Sequence, residues 1–72
     1  METDMEKIVI RDEFIKLGQA MKLAGLVESG VEAKYEIEAG KVTVNGEAEN
    51  RRGRKLYKGD TFTYKNRDIT VG

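Results

Sequence analysis

The sequence predicts an α+β domain in which two short helices pack on a small antiparallel sheet, and three observations carry that expectation. Leu17, Ala20, Met21 and Ala24 recur at helical spacing, and Ala33 and Ile37 do so again after an intervening capping signature. Beyond residue 40 the period changes to two: Lys41-Val42-Thr43-Val44, Thr61-Phe62-Thr63-Tyr64 and Asp68-Ile69-Thr70-Val71 alternate polar with apolar residues. Asn45-Gly46 follows the first of these runs, and that pair supplies the two positive φ angles of a type I′ hairpin turn.

In chain order, Lys7-Ile8-Val9-Ile10-Arg11 is short and β-branched, which predicts a strand ended by Asp12-Glu13. The first helix presents its apolar stripe inward, leaves Gln19 and Lys22 on another face, and closes near Gly25. Leu26 and Val27 then connect the helices and anchor that connection in the core. Ser29-Gly30-Val31-Glu32 has the form S-x-x-E, in which the serine oxygen caps the amide of residue 32 and the glutamate reaches back to the serine amide. The second helix therefore starts at Ser29 and stops at Gly40, a residue free to take the left-handed conformation. From Glu47 to Gly53 no apolar periodicity remains, so this stretch reads as a loop, followed by a brief extended piece at Leu56 and Tyr57 and a turn at Lys58-Gly59-Asp60. The last two strands join around Asn66-Arg67. Residues 1–14 are expected to form an acidic segment with one short strand, and 15–72 the domain itself, as a single unit overall.

At 72 residues a chain holds one core and buries only about 60% of its unfolded surface. There is no cysteine, so neither disulfides nor thiolate-bound metal can add stability, and packing must suffice. The acidic start METDMEK lacks the basic and apolar regions of a secretion signal, and apolar runs are only a few residues long. A soluble, cytoplasmic, monomeric protein without membrane contact is expected. Histidine is also absent, which removes the usual general base near neutral pH and the commonest metal ligand. No carboxylate pairing is legible from spacing, so no enzyme activity, catalytic residue, metal, cofactor or small-molecule substrate is expected.

The formal net charge is zero, but its distribution is polarised. Glu2, Asp4, Glu6, Asp12 and Glu13 outnumber Lys7 and Arg11 at the start, whereas Arg51, Arg52, Arg54, Lys55 and Lys58 follow one another with no acid between them. Arginine's planar fork suits bidentate phosphate contact, and Gly53 lets a ligand approach the backbone. Holding like charges together opposes folding, which gives a polyanionic partner a physical reason to exist. The competing explanation is a solvated loop whose cations pair with Glu36, Glu38 or the acidic start. Lys16, Gln19, Lys22 and Lys34 could share an outer surface of the helix pair. Tyr35, Tyr57, Phe62 and Tyr64 could stack on bases, although Phe62 reads as core.

Ser29-Gly30, Ala33-Lys34, Ile37, Gly40, Val42, Val44-Asn45-Gly46 and, later, Gly59-Asp60 give the chain a pattern that resembles the S4-type RNA-binding domain over about residues 15–64. Leu17-Gly18-Gln19 and Glu49-Asn50-Arg51-Arg52-Gly53-Arg54-Lys55 are similar to the short, single-domain YaaA-like and YbcJ-like members. The resemblance implies an S4-like (alpha-L) fold and a surface for structured RNA, ribosomal RNA or a ribosomal subunit first, in a ribosome-associated or maturation role. Carried over by position, it implies RNA contacts from Lys16, Gln19, Lys22, Ser29, Lys34 and the basic loop Arg51, Arg52, Arg54, Lys55 and Lys58. Two positions depart from the pattern. Gly30 stands where many members have arginine, and Gly18-Gln19 where many have Asp-Lys, so the loop cluster becomes the electrostatic centre.

Two other classes fit parts of the chain. A protein-binding adaptor would use the same loop against an acidic partner. A sulfur carrier of the β-grasp type would need a flexible Gly-Gly tail, where Thr70-Val71-Gly72 reads as strand.

Overall fold

A computed structural model describes residues 6–72. The expected α+β class is what it has: two short helices and a small sheet, with a second ribbon beside them. Five strands form the main sheet in the order β1 (Glu6–Ile8), β7 (Arg67–Val71), β6 (Thr61–Tyr64), β3 (Val42–Val44), β4 (Glu47–Ala48). A separate two-stranded ribbon pairs β2 (Phe14–Lys16) with β5 (Lys55–Tyr57). Helices α1 (Leu17–Leu23) and α2 (Gly30–Glu38) lie between β2 and β3 in the chain and pack on each other.

The sequence pattern accounts for most of this. Val42, Val44, Phe62, Tyr64, Ile69 and Val71 are buried while the residues between them are not, as a half-buried sheet requires. Leu17, Ala20, Met21, Ala33 and Ile37 are fully buried and join the same cluster, so one core serves sheet and helices. Val27 is buried and Leu26 packs against the cluster, which anchors the connection. Both helices end on glycines with positive φ, Gly25 and Gly40, followed by the paired closing bonds Gly25 N to Lys22 O with Leu26 N to Met21 O, and Gly40 N to Ile37 O with Lys41 N to Glu36 O. Ser29 Oγ accepts from Glu32 N at 3.1 Å, as the capping signature requires. The glutamate, however, accepts from Glu28 N at 2.9 Å, one residue before the serine amide.

Several details differ from the sequence reading. Glu47–Ala48, expected as the start of the loop, is strand β4, because the Asn45-Gly46 turn folds it back onto Val44 and Thr43 despite its lack of apolar periodicity. The first strand is Glu6–Ile8 rather than Lys7–Arg11, and it runs parallel to β7, so one sheet edge is not antiparallel. Arg67 secures that edge by donating Nε to Glu6 Oε2 at 2.6 Å. Phe14–Lys16 is a strand that no periodicity announced, because only its partner β5 makes it one. The final hairpin turns at Lys65-Asn66, both left-handed at φ 50° and 65°, one residue earlier than expected, and Tyr64 faces Arg67 across it. Of the aromatic residues, Phe62 and Tyr64 belong to the core, whereas Tyr35 and Tyr57 are exposed. Tyr64 also donates to Glu36 Oε1 at 2.6 Å, which joins α2 to the sheet and pushes the phenol up to about 12.

The expected acidic start at Glu2 and Asp4 lies outside the described residues. Among those described, no helix is long and apolar enough to cross a membrane. Thr70 and Val71 belong to β7, and Gly72 donates to Ile8 O and accepts from Ile10 N beside β1.

The last hairpin places a lysine where Asn is preferred and an asparagine where Gly is preferred. Replacing the pair by Asn-Gly (Lys65→Asn with Asn66→Gly) is expected to stabilise the domain by about 0.5–1 kcal/mol, the relief of left-handed backbone less the chain entropy that glycine adds. A thermal melt should register this as a rise in Tm of roughly 2–8 °C for a domain of this size.

Candidate functional site

The basic segment after β4 is folded around one carboxylate. Glu49 is only 6% exposed, and its oxygens accept from Arg51 N (3.1 Å), Arg51 Nε (2.9 Å), Arg51 Nη2 (3.3 Å) and Arg54 Nη1 (2.8 Å). Its own N–H donates to Val42 O at 3.0 Å, which continues the β3–β4 pairing into the loop. The Arg51 side chain first and the Arg54 side chain next hold this carboxyl down to about 2, against the smaller opposing effect of burial. Two of the loop's arginines are thus tied to an acid of their own segment, not to Glu36 or Glu38. Arg51 nonetheless leaves 72% of its side chain exposed.

Backbone groups of the same segment close α1. This helix has no side-chain cap and no acid in its first turn, so its leading N–H groups need other partners. Leu17 N donates to Arg54 O at 2.8 Å and Gly18 N to Arg52 O at 3.0 Å. The loop backbone lies close over Gly18: a Cβ there would stand 3.5 Å from Arg52 Cβ and 3.6 Å from Arg52 O, which is ordinary packing contact.

Docking the loop on α1 creates an open cleft of about 300 Å³. Lys16, Gln19 and Lys22 line it from the α1 side, Gly30 from the start of α2, and Arg52-Gly53 from the loop. Among the described residues, Lys16, Lys22 and Arg52 have no ion-pair partner. Three cations therefore converge on one concavity with their charges unmatched.

The remaining candidates are placed differently. Lys55 faces Lys16 directly across β2–β5, a like-charge pair that opposes pairing, and its ammonium lies 4.7 Å from the centre of the Phe14 ring. Ser29 is occupied in capping α2. Lys34 is exposed one turn beyond Gly30, and Lys58 follows β5 on the end away from the loop; neither lines the cleft. Gly18 and Gly30, the two departures noted in the sequence, both line it, and a Cβ on Gly30 would meet nothing within 4 Å. The role of Glu49 was missed. Its only sequence signal is an acid two residues ahead of Arg51 and five ahead of Arg54, and that spacing has no meaning until the loop's conformation is known.

A helix pair joined through a folded basic loop to a small sheet defines a compact binding module. The model of the S4 domain family matches residues 8–72, and the chain belongs to that family. It is 53% identical over 53 residues, 74% of this chain and 75% of the other, to a Bacillus subtilis (strain 168) protein named "Probable ribosome maturation protein RlbA". It is 35% identical over 57 residues, 79% of this chain and 81% of the other, to "Putative RNA-binding protein YbcJ" of Escherichia coli (strain K12). The solution structure of YbcJ from E. coli, described as revealing an alfa-L motif involved in RNA-binding, superposes with a TM-score of 0.74 at 29% identity, covering 99% of this chain and 91% of that one. Family and relatives point to a non-catalytic protein.

Because the Glu49 carboxyl is depressed in the fold, its contribution to stability is fully present above the unfolded value of 4.5 and is lost as pH falls from there towards about 2. Glu49→Gln is expected to cost about 1–2 kcal/mol at pH 7, a range set by charge-assisted hydrogen bonds to partly exposed arginines. Urea unfolding of both proteins at pH 7 and pH 2.5 checks this: the difference should shrink at the lower pH.

Proposed function

We propose that the protein binds structured RNA, with ribosomal RNA as the target and ribosome association or maturation as the role. The observation that carries this reading is the convergence of Lys16, Lys22 and Arg52, all without acidic partners, on one cleft. Support also comes from the names of the relatives, one a ribosome maturation protein and one an RNA-binding protein.

Recognition proceeds by shape and phosphate contact. The major groove of an A-form helix is too deep and narrow for side chains, so the accessible features are phosphates and 2′-hydroxyl groups. Lys16, Lys22 and Arg52 neutralise phosphates, and the Gln19 amide donates to a phosphate or ribose oxygen. Lys55, held opposite Lys16, gains when an anion lies between the two, since that relieves their repulsion. Arg51 has its Nε and one Nη2 N–H on Glu49, which leaves Nη1 and the second Nη2 N–H for RNA and fixes the direction of the fork. Ser29 acts indirectly by starting α2 beside the cleft, and Lys34 and Lys58 extend the field on either side. The protein acts as a monomer in the cytoplasm.

Neutralising about four phosphates gives log K a slope of roughly −3 to −4 against log salt, to be measured by titrating ribosomal RNA fragments at several salt concentrations. Arg52→Glu is expected to weaken binding more than tenfold while leaving the thermal melt unchanged, because its side chain makes no ion pair in the fold. Gly30→Arg should have the opposite effect, tightening binding severalfold at low salt and steepening the slope by about one, since the cleft has room for a side chain there. Salt-insensitive binding would remove the phosphate mechanism.

A further inference from the structure

Beside the basic cleft lies a larger groove of about 540 Å³, and the two share Lys16 and Gln19 as a common wall. Val9, Phe14, Ile15 and Leu23 give this groove its apolar surface, and Val9 and Leu23 are 73% and 56% exposed. Single apolar residues on a surface need no explanation, but several lining one concavity mark a place for a ligand. Arg11 and Asp12 stand on its rim, and among the described residues neither has an ion-pair partner. The Phe14 ring is braced by Tyr57, whose ring centre is 5.9 Å away at a 54° tilt, and by the Lys55 ammonium above it.

We propose that this groove receives one unpaired nucleobase of the RNA whose phosphates occupy the adjoining cleft. The inference rests on the RNA reading above and narrows its target to a helix with an unpaired nucleotide beside it. A nucleotide carries an anionic phosphate and a base with apolar faces on one unit, so a basic cleft and an apolar groove sharing a wall match the two parts of a single ligand. The base edge carries donors and acceptors, which Arg11, Asp12 and Gln19 can meet. An apolar peptide would leave those groups, and the shared Lys16, without a role. Bases within a duplex are stacked and paired, so the one bound must come from a bulge, a loop or a strand end. Aromatic stacking accepts any base, so the groove selects for an unpaired position more than for its identity.

The test compares the full chain's affinity for a fully paired RNA hairpin and for the same hairpin carrying one bulged nucleotide, with backbone amide resonances followed by NMR. Stacking on an aromatic residue typically gives a preference of about tenfold for the bulged form. Phe14→Leu keeps apolar bulk without the aromatic face and should reduce that preference to about twofold, read as the ratio of the two affinities because the Lys55 ammonium above the ring is released as well. Leu23→Ser, at a mostly exposed site, serves as a second variant that does not depend on β2 and should also lower the preference. In the parent chain the bulged RNA alone should move the resonances of Val9, Ile15 and Leu23. Equal, salt-dependent binding of both hairpins with those resonances still would overturn the groove and leave the RNA reading intact. Failure to bind either hairpin would overturn both. If an apolar peptide saturably moves these resonances and the bulged RNA does not, the occupant is protein and the inference is wrong.

Discussion

The basic loop and the cleft beside α1 are organised around one buried carboxylate. Glu49 collects four hydrogen bonds from Arg51 and Arg54, and without it those guanidinium groups would repel one another in a short loop. By bonding both it ties Glu49, Arg51 and Arg54 of the segment to one another. The carbonyls of Arg52 and Arg54 then sit where the first amides of α1 need acceptors. Glu49 is also bonded through its N–H to Val42 in β3. Sheet, loop and helix are therefore coupled through a few atoms, and the cleft is a product of that coupling.

The cations consequently divide between two tasks. Arg54 and most of Arg51 hold the loop together, whereas Lys16, Lys22 and Arg52 keep their charges available. A run of basic residues in sequence is thus a poor measure of the charge a partner meets. Gly30 shapes the cleft by leaving its mouth open, since nothing stands within 4 Å of where a Cβ would be. The Lys16–Lys55 pair marks the opposite compromise, since like charges placed across a ribbon weaken it. The aromatic contact between Lys55 and Phe14 offsets part of that cost.

Net charge is zero, so attraction of a polyanion must come from local concentration. Glu28, Glu32 and Glu36 recur every four residues along or just before α2, and Glu36 is further engaged by Tyr64 and Lys41. The cleft lies at the start of that helix. Two of these acids, Glu28 and Glu32, flank Gly30 in the chain, so a polyanion is attracted only within about a Debye length of the cleft's own cations, roughly 8–10 Å at physiological salt.

The local elements were legible because each is decided by residues close in sequence. The S-x-x-E cap, the glycines ending both helices, the Asn45-Gly46 turn and the alternation of Val42, Val44, Phe62, Ile69 and Val71 require no distant partner. S4 family membership was legible for the same reason, since its motif residues fall at fixed offsets along the chain. What escaped was decided by contacts across the fold. Phe14–Lys16 is a strand only because β5 lies beside it, and β1 is parallel because it adds to β7, more than sixty residues later. The same holds for the site: the sequence supplied the cations, but which of them face outward depends on where Glu49 sits. Burial and pairing are properties of three-dimensional neighbours, and only the tertiary structure assigns those.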